Sequence, residues 1–457
     1  MIDSSMVSDI VMSLAVASQV IVDGVWELYL RFDPTNKLSV SEQEVKATLK
    51  RDDIFGVKAL GALMVLSKGN INYKYIQQEN QYEFDEYFKL LSTLYLLENI
   101  TDDICYIEEN DGQLFYPHAG FMRDFYTLLA SLTKNQITLY EAYNYLAESP
   151  AVDVSTMSLK QFGNLFNVTS PSYFICALEL TIVADILSAL QVLADKHPEL
   201  KSIVVKAHNG LLARYEESRA SIETPQVNIE QAIQRGKATI LTDFHYAFML
   251  LTVASLSRPV HLALSKSMSS VLIAIDHCSY IIRILNDAGQ AGIQPIRALE
   301  ILQKIDNTAL HMTSPRELIR GLQKFDLGSQ QLFARLIKDV QECEANIILD
   351  VNPSLSTQSN EEFIHRNLMF ANNQLCISSR VLEDTLPIIA HPYLIGLLAN
   401  LIEFHCRMYT MISTDGGEWI KTDAKWISNT LRSILLTADA SIFIGALLVQ
   451  STNNEGK

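Results

Sequence analysis

The sequence predicts an all-α protein. Three observations lead there: apolar residues recur at three- and four-residue intervals over most of the 457 residues, alternating strand patterns are almost absent, and Pro, Gly and Asp-Gly breakers fall between the periodic segments. Val7, Ile10, Val11, Leu14, Ala17 and Val20 show the repeat of a helix with one buried face. The same texture predicts helices over about 43–66, 83–108, 120–131, 172–196, 201–222, 228–256, 259–288, 295–304, 315–348, 361–381, 392–412 and 422–450. Asp111-Gly112 with Pro117, Ser170-Pro171, Thr224-Pro225, Pro259, Gly289 to Pro295 and Ser314-Pro315 separate them. The polar run Asn352 to Asn360 reads as a surface loop, because helices of the same character continue beyond it. No internal repeat at a fixed period is visible.

Composition narrows the class. A chain of this length can bury a large core, and 48% of its residues are apolar. Charges interrupt almost every apolar stretch before the roughly 18 to 20 residues that span a bilayer, so the expectation is a protein without a membrane span. Thr385 to Ile402 comes nearest, but with Pro387, His391 and Pro392 inside it reads as a buried helix pair with a break. Met1 to Val20 carries Asp3 and Asp9 and no Lys or Arg, unlike a secretory signal, so a cytoplasmic location is expected. The six cysteines are dispersed, with no CxxC, which is the usage of reduced thiols and not of disulfides or a spaced zinc motif. A formal net charge of −16, with no basic stripe, argues against a nucleic-acid partner.

Two clusters of polar residues stand at the ends of apolar helical segments. The first is Glu98 to Glu109, after the apolar run Leu90 to Leu97. A helix continuing through it would line up Glu98, Asp102, Tyr106 and Glu109 on one face. Converging carboxylates repel unless a cation sits between them, and Mg2+ is the hard, oxygen-seeking ion that does so when a diphosphate supplies other ligands. A solvated helix end explains the same residues. The second is Tyr280 to Gln290, where Arg283 and Asp287 lie one turn apart, Asn286 beside them and Gln290 one turn on. An exposed ion pair would look the same, as would an Asn/Asp metal corner whose guanidinium grips a phosphate.

Together these clusters resemble the paired metal motifs of class I terpene synthases, an aspartate-rich DDxxD-like motif facing an NDxx(S/T)xxxE motif. The segment RILNDAGQ resembles the R(L/I)xND sequence of that family, in which the Arg binds diphosphate and the Asn binds magnesium. Near the C-terminus Phe404 to Tyr409, followed by Asp415-Gly416-Gly417-Glu418-Trp419, resembles the aromatic-bearing helix and closing loop of plant-type synthases. The resemblance runs over about 90–450 and departs from the pattern at Tyr106, Gln290 and Gln294, where acids or a hydroxyl would be expected.

The resemblance implies a class I terpenoid synthase-like helical bundle with extra helices. An N-terminal helical part, 1–80, would pack on a main α-domain, 81–457, with an insertion between 110 and 240. It implies three Mg2+ ions bound with the diphosphate, held by Asp102, Asp103, Glu108, Asn286, Asp287 and Gln290. Arg283 and Arg407 would bind the diphosphate, and Asp102, Arg283, Asn286, Tyr409 and Asp415 would form the catalytic set. The implied activity is ionisation of a C15 or C20 prenyl diphosphate and cyclisation or quenching of the carbocation, and the resemblance favours a homodimer. An elongating or condensing prenyl synthase, or a catalytically silent helical scaffold, is the alternative. Phe244, Tyr246, Phe248, Tyr95 and Trp419 are candidates for the cavity wall, and each is more often ordinary core.

Overall fold

The computed structural model describes residues 23–31, 41–43, 78–110, 113–150, 152, 154, 157–224, 227–306, 313–352, 359–389 and 391–410. The helices expected over 7–20 and 422–450, most of that over 43–66, and Asp415 and Trp419 lie outside the described residues. Helix makes up 83% of what is described and strand 2%, so the fold is all-α.

The helices in chain order are α1 (residues 23–31), α2 (Gln81–Asp102), α3 (Ala119–Thr133), α4 (Leu139–Glu148), α5 (Met157–Leu165), α6 (Pro171–Lys196), α7 (Lys201–Glu223), α8 (Ile229–Thr239), α9 (Thr242–Leu256) and α10 (Arg258–Ile293). They continue with α11 (Pro295–Asp306), α12 (Pro315–Gly321), α13 (Leu327–Leu332), α14 (Ala334–Gln341), α15 (Asn360–Thr385) and α16 (Pro392–Thr410). Helix α10 is the axis of the bundle and packs against α8, α9, α14, α15 and α16. On the other side α7 packs on α3 and α9, and α2 on α6. Polar caps mark several starts. Thr138 and Glu141 form a reciprocal capping box at α4, and Asn228, Ser314 and Asp326 accept backbone N–H bonds at α8, α12 and α13. Val25, Trp26 and Tyr29 of α1 are buried, with the Tyr29 ring against Phe166 and Phe174.

Three expected helices are shorter than the periodicity implied. The helix expected over 83–108 ends at Asp102, passes through a 3-10 turn at Asp103–Cys105, and gives way to a two-stranded antiparallel hairpin, β1 (Glu108–Asn110) and β2 (Gln113–Phe115), with Glu109 opposite Leu114. The strands flank Asp111-Gly112, a dipeptide that favours hairpin turns over helix. Ile107 also donates its N–H to the Cys343 carbonyl at 2.8 Å, a bond incompatible with an intrahelical partner. The helix expected over 228–256 breaks at Leu241, which adopts a left-handed conformation (φ 58°) and keeps its side chain buried. A non-glycine residue there costs about 1–2 kcal/mol, which burial of the leucine offsets. The span 315–348 is divided among α12, α13, α14 and an irregular segment from 342 to 351.

The expectation of no membrane span does not stand. Pro171–Lys196, Ile229–Leu256 and Arg258–Ile293 are each long and apolar enough to cross a membrane by length and composition, with mean hydropathies of 1.9, 1.3 and 1.4. Requiring uninterrupted apolar runs was too strict, because an 18-residue window remains apolar enough with one or two charged residues in it. Buried within the fold are 67%, 67% and 50% of those windows, so α6, α9 and α10 also supply much of the bundle interior.

The kink that shapes the far end of α10 falls at Gly289, whose backbone (φ 53°, ψ −138°) is non-helical inside an otherwise continuous helix. A Cβ there would lie 2.5 Å from Arg335 Cγ and 3.1 Å from the Tyr409 carbonyl oxygen. Both the positive φ and the contact require glycine. Gly289→Ala is therefore expected to lower unfolding stability by about 1–3 kcal/mol; urea denaturation of the two proteins measures it, and coincident midpoints would show that the bend relaxes freely.

Candidate functional site

The acidic motif closes on a guanidinium. Arg214, on α7, donates from Nε to Glu98 and from Nη2 to Asp102 Oδ1 at 2.6 Å, while Nη1 reaches the Thr239 carbonyl oxygen at the end of α8 at 2.6 Å. Tyr126 also donates to Asp102 Oδ1, at 3.3 Å. Glu98 and Arg214 are buried; the Asp102 side chain is 47% exposed and is the face of this cluster open to solvent. A guanidinium presents donors in a planar fork and holds its charge when buried, which suits it to tie three helices at one point.

A third carboxylate lies beside this pair. Glu179, inside the apolar run Phe174 to Val183 of α6, is fully buried beside the Thr101 hydroxyl, and no cationic side chain among the described residues bonds its oxygens. Burial, reinforced by the charge of Glu98, pushes its carboxyl up to about 8. Burial likewise raises Glu98, against the pull of Arg214. One guanidinium faces three acids, and Glu179, the one it does not bond, is the acid whose carboxyl burial raises furthest.

The second motif sits at the kink. Asp287 is 1% exposed and accepts from Arg283, from the Ile347 N–H at 2.9 Å and from Asn286 Nδ2 at 3.2 Å. Asn286 Oδ1 accepts from Arg335 Nη2 at 2.9 Å, and the backbone carbonyl of Asn286 accepts from Arg335 Nε at 2.7 Å. The Asp287 carbonyl accepts from Asn346 Nδ2 at 2.9 Å. Carbonyls beside a helix break need outside donors, and α14 with the irregular 342–351 segment delivers them. Asp339 sits behind Arg335 at 3.5 Å and accepts from Asn346 at 2.6 Å, with burial raising its carboxyl. The Arg335 guanidinium lies 5.0 Å from the centre of the Tyr409 ring.

The last turn of α8 joins the two corners. Arg214 bonds the Thr239 carbonyl, and Arg283 packs across Gly236, where a Cβ would lie 2.7 Å from its Nε. That Nε is buried with no hydrogen-bond partner among the described residues. Tyr409, on α16, feels the charges of Arg335, Arg283 and Asp287 as well as Tyr95 of α2. Burial pushes the Tyr95 hydroxyl up to about 12 and the Tyr409 hydroxyl higher still.

The fold thus brings Asp102, Arg283, Asn286, Asp287 and Tyr409 to one end of the bundle. Asp103 is half-buried in the 3-10 turn, and Gln290 is half-buried one residue past the kink. Glu108 is displaced to the exposed edge of the hairpin, away from the helical register expected for it, and Glu109 turns to Arg320 (2.7 Å) and Ser314. Arg407 lies on α16, with its side chain outside what is described, and Asp415 lies beyond the described residues. Phe244, Tyr246 and Phe248 are buried core, and Tyr95 packs edge-on to His245 at 5.0 Å. Sequence reasoning passed over Arg214, Glu179, Arg335, Asp339 and Asn346. A lone acid within FICALELTIV and a lone Arg beside Leu211, Leu212 and Tyr215 are legible signals of buried charge; Arg335 and Asn346 carry no such mark.

Magnesium fits one corner and not the other. Asp102 offers a half-exposed carboxylate, though its Oδ1 already accepts from Arg214 and Tyr126, and with Asp103 next to it these are the residues that would hold a hard cation. At the kink both oxygens of Asp287 and the Asn286 Oδ1 are engaged by protein donors. A cation there would face the guanidiniums of Arg283 and Arg335 in place of open carboxylate oxygens, so that donor set does not suit Mg2+.

Fold and site together define an all-α bundle with a buried arginine–carboxylate centre. Compared with known protein families, with curated proteins and with solved structures, the chain matches none of them.

The protonation of Glu179 makes stability depend on pH. Its folded value lies above that of an exposed glutamate, so between about 4.5 and 8 the folded state binds more protons than the unfolded one, and stability falls as pH rises through that window. Glu179→Gln removes that slope: relative to the parent, the variant should gain at least ~1 kcal/mol more at pH 8 than at pH 5. Denaturation at the two pH values tests this, and equal gains would mean that Glu179 is ionised throughout.

Proposed function

We propose that this chain binds a prenyl diphosphate of C15 or C20 length and acts as a class I terpene synthase. The observation that carries the reading is the meeting of two arginines on one turn of α8. Arg214 anchors the acidic motif at Thr239, and Arg283 crosses Gly236 with an Nε–H that lacks an acceptor among the described residues. Guanidiniums recognise phosphate oxygens through paired, charge-assisted bonds, and a diphosphate leaves more readily as its growing negative charge is met. In this arrangement Arg283 binds the leaving group, exchanging part of its bond to Asp287 for phosphate oxygens. Asp102 faces solvent at the other corner, and magnesium bound there would add further charge to the same leaving group. The aromatic rings of Tyr126, beside Asp102 and Arg214, and of Tyr409, beside Arg335, are the faces offered to an allylic cation. A second reading, a helical scaffold without catalysis, draws on the saturation of Asn286 and Asp287 by protein donors.

Purified protein incubated with C10, C15, C20 and C25 prenyl diphosphates, with and without Mg2+, followed by gas chromatography and mass spectrometry of the organic extract, separates these readings. A magnesium-dependent hydrocarbon or terpene alcohol is expected from C15 or C20. A longer diphosphate would move the assignment to an elongating synthase, and no turnover with any substrate would leave the scaffold. Arg283→Ala should raise the KM for the diphosphate by about tenfold or more, the worth of one charge-assisted hydrogen bond, with the product spectrum unchanged. An altered spectrum at unchanged KM would place Arg283 on the hydrocarbon and not on the leaving group.

A further inference from the structure

At the opposite end of α10 two imidazoles and a carboxylate converge. From Asp287 back to His261 the helix runs about 39 Å at 1.5 Å per residue, so this cluster is remote from the arginine centre. His197 closes the C-terminus of α6, Glu199 lies in the 3-10 turn Pro198–Leu200, and His261 stands in the first turn of α10. His261 Nε2 lies 2.9 Å from Glu199 Oε1, and His197 Nδ1 lies 3.8 Å from the same oxygen. One ligand atom from each of the three residues falls within 4.8 Å of the others.

We propose that His197, Glu199 and His261 form a binding site for a divalent transition metal, zinc being the ion their chemistry suits best. Zn2+ takes imidazole nitrogen and carboxylate oxygen at about 2.0–2.2 Å, which sets ligand atoms about 3.3 Å apart in a tetrahedron. The 2.9 and 3.8 Å separations bracket that value and all three ligand atoms lie within 4.8 Å of one another, so rotamer adjustment of the side chains seats the ion. Two nitrogens favour zinc over magnesium, whose ligands are oxygens. A single His–Glu pair would need only one imidazole; here both ring nitrogens aim at one carboxylate oxygen, with the rings 5.5 Å apart.

The scaffold is set before any ion arrives. His197 N–H bonds Leu193 O at 3.0 Å, Leu200 N–H bonds His197 O at 2.9 Å, and His261 N–H bonds Ser257 O at 2.9 Å. Pro198 and Pro259 stiffen the two segments that carry the ligands. The imidazoles are 23% and 18% exposed and the Glu199 side chain 48%, so the site is shielded at its base and open to a fourth ligand from solvent. Bound there, the ion ties the α6–α7 junction to the start of α10.

The test is calorimetric titration of the chelator-treated full chain with ZnCl2, accompanied by the visible spectrum of the Co2+-substituted protein. Binding of one ion at micromolar or tighter affinity, with the intense absorption of four-coordinate Co2+, is expected. His197→Ala and His261→Ala should each weaken binding at least tenfold with the helical circular dichroism retained, and Glu199→Gln should weaken it by a smaller factor. Zinc affinity unchanged in both histidine variants, or no binding by the parent protein, would overturn the site. Because loss of the fold would also abolish binding, His391→Ala, at a histidine remote in sequence, serves as the folded comparison and should bind as the parent does.

Discussion

The arrangement of this bundle depends on how one buried guanidinium is satisfied. Arg214 reaches Glu98 and Asp102 of α2 and the terminal carbonyl of α8 at once. Its fork has fixed geometry, so three helices meet at angles that leave no polar atom of the guanidinium unanswered. Removing such a charge from its partners costs several kcal/mol, because carboxylates would be left in a medium that cannot solvate them. That carbonyl belongs to Thr239, the last residue of α8, two residues before the left-handed turn at Leu241 that opens α9.

A second centre is assembled around a break. The bend at Gly289 leaves the carbonyls of Asn286 and Asp287 to be met by Arg335 and Asn346, side chains from α14 and the irregular segment after it. That segment has little periodic structure of its own. It is held by polar anchors: Ile347 N–H on Asp287, Asn346 N–H on Asp350 at 2.7 Å, and Arg316 on Asp350. The two centres share α8 as a common wall, which is what brings motifs almost two hundred residues apart to the same helix turn. Their charges are balanced internally, each guanidinium facing acids already in place.

Much of the fold was legible. The three- and four-residue spacing marked nearly all the described helices longer than about ten residues, because burying one face of a helix imposes that period on the chain whatever the neighbours are. Spacing failed where a specific polar contact ended a helix before its apolar pattern did. Asp102 is one such place, since Tyr106 onward turns into a hairpin bonded to Cys343. The breaks within 315–348 are another, where Asp326 starts a new helix and Asn346 serves Asp287 and Asp339. An uninterrupted apolar run is also not needed in α6, where Glu179 sits fully buried among apolar neighbours.

By itself the sequence determined the all-α class and the acidic and arginine-bearing clusters near helix ends, because these follow from local periodicity and backbone sterics; it marked Gly289 as the end of a helix, where the structure shows a kink within one. The tertiary structure alone decided which acid meets which arginine, since a charge pair is a matter of distance across helices and no local pattern encodes it. It decided the same for His197, Glu199 and His261, two helix ends separated by more than sixty residues of chain. Those contacts exist only once α6, α7 and α10 have packed, and packing is governed by the summed fit of many side chains.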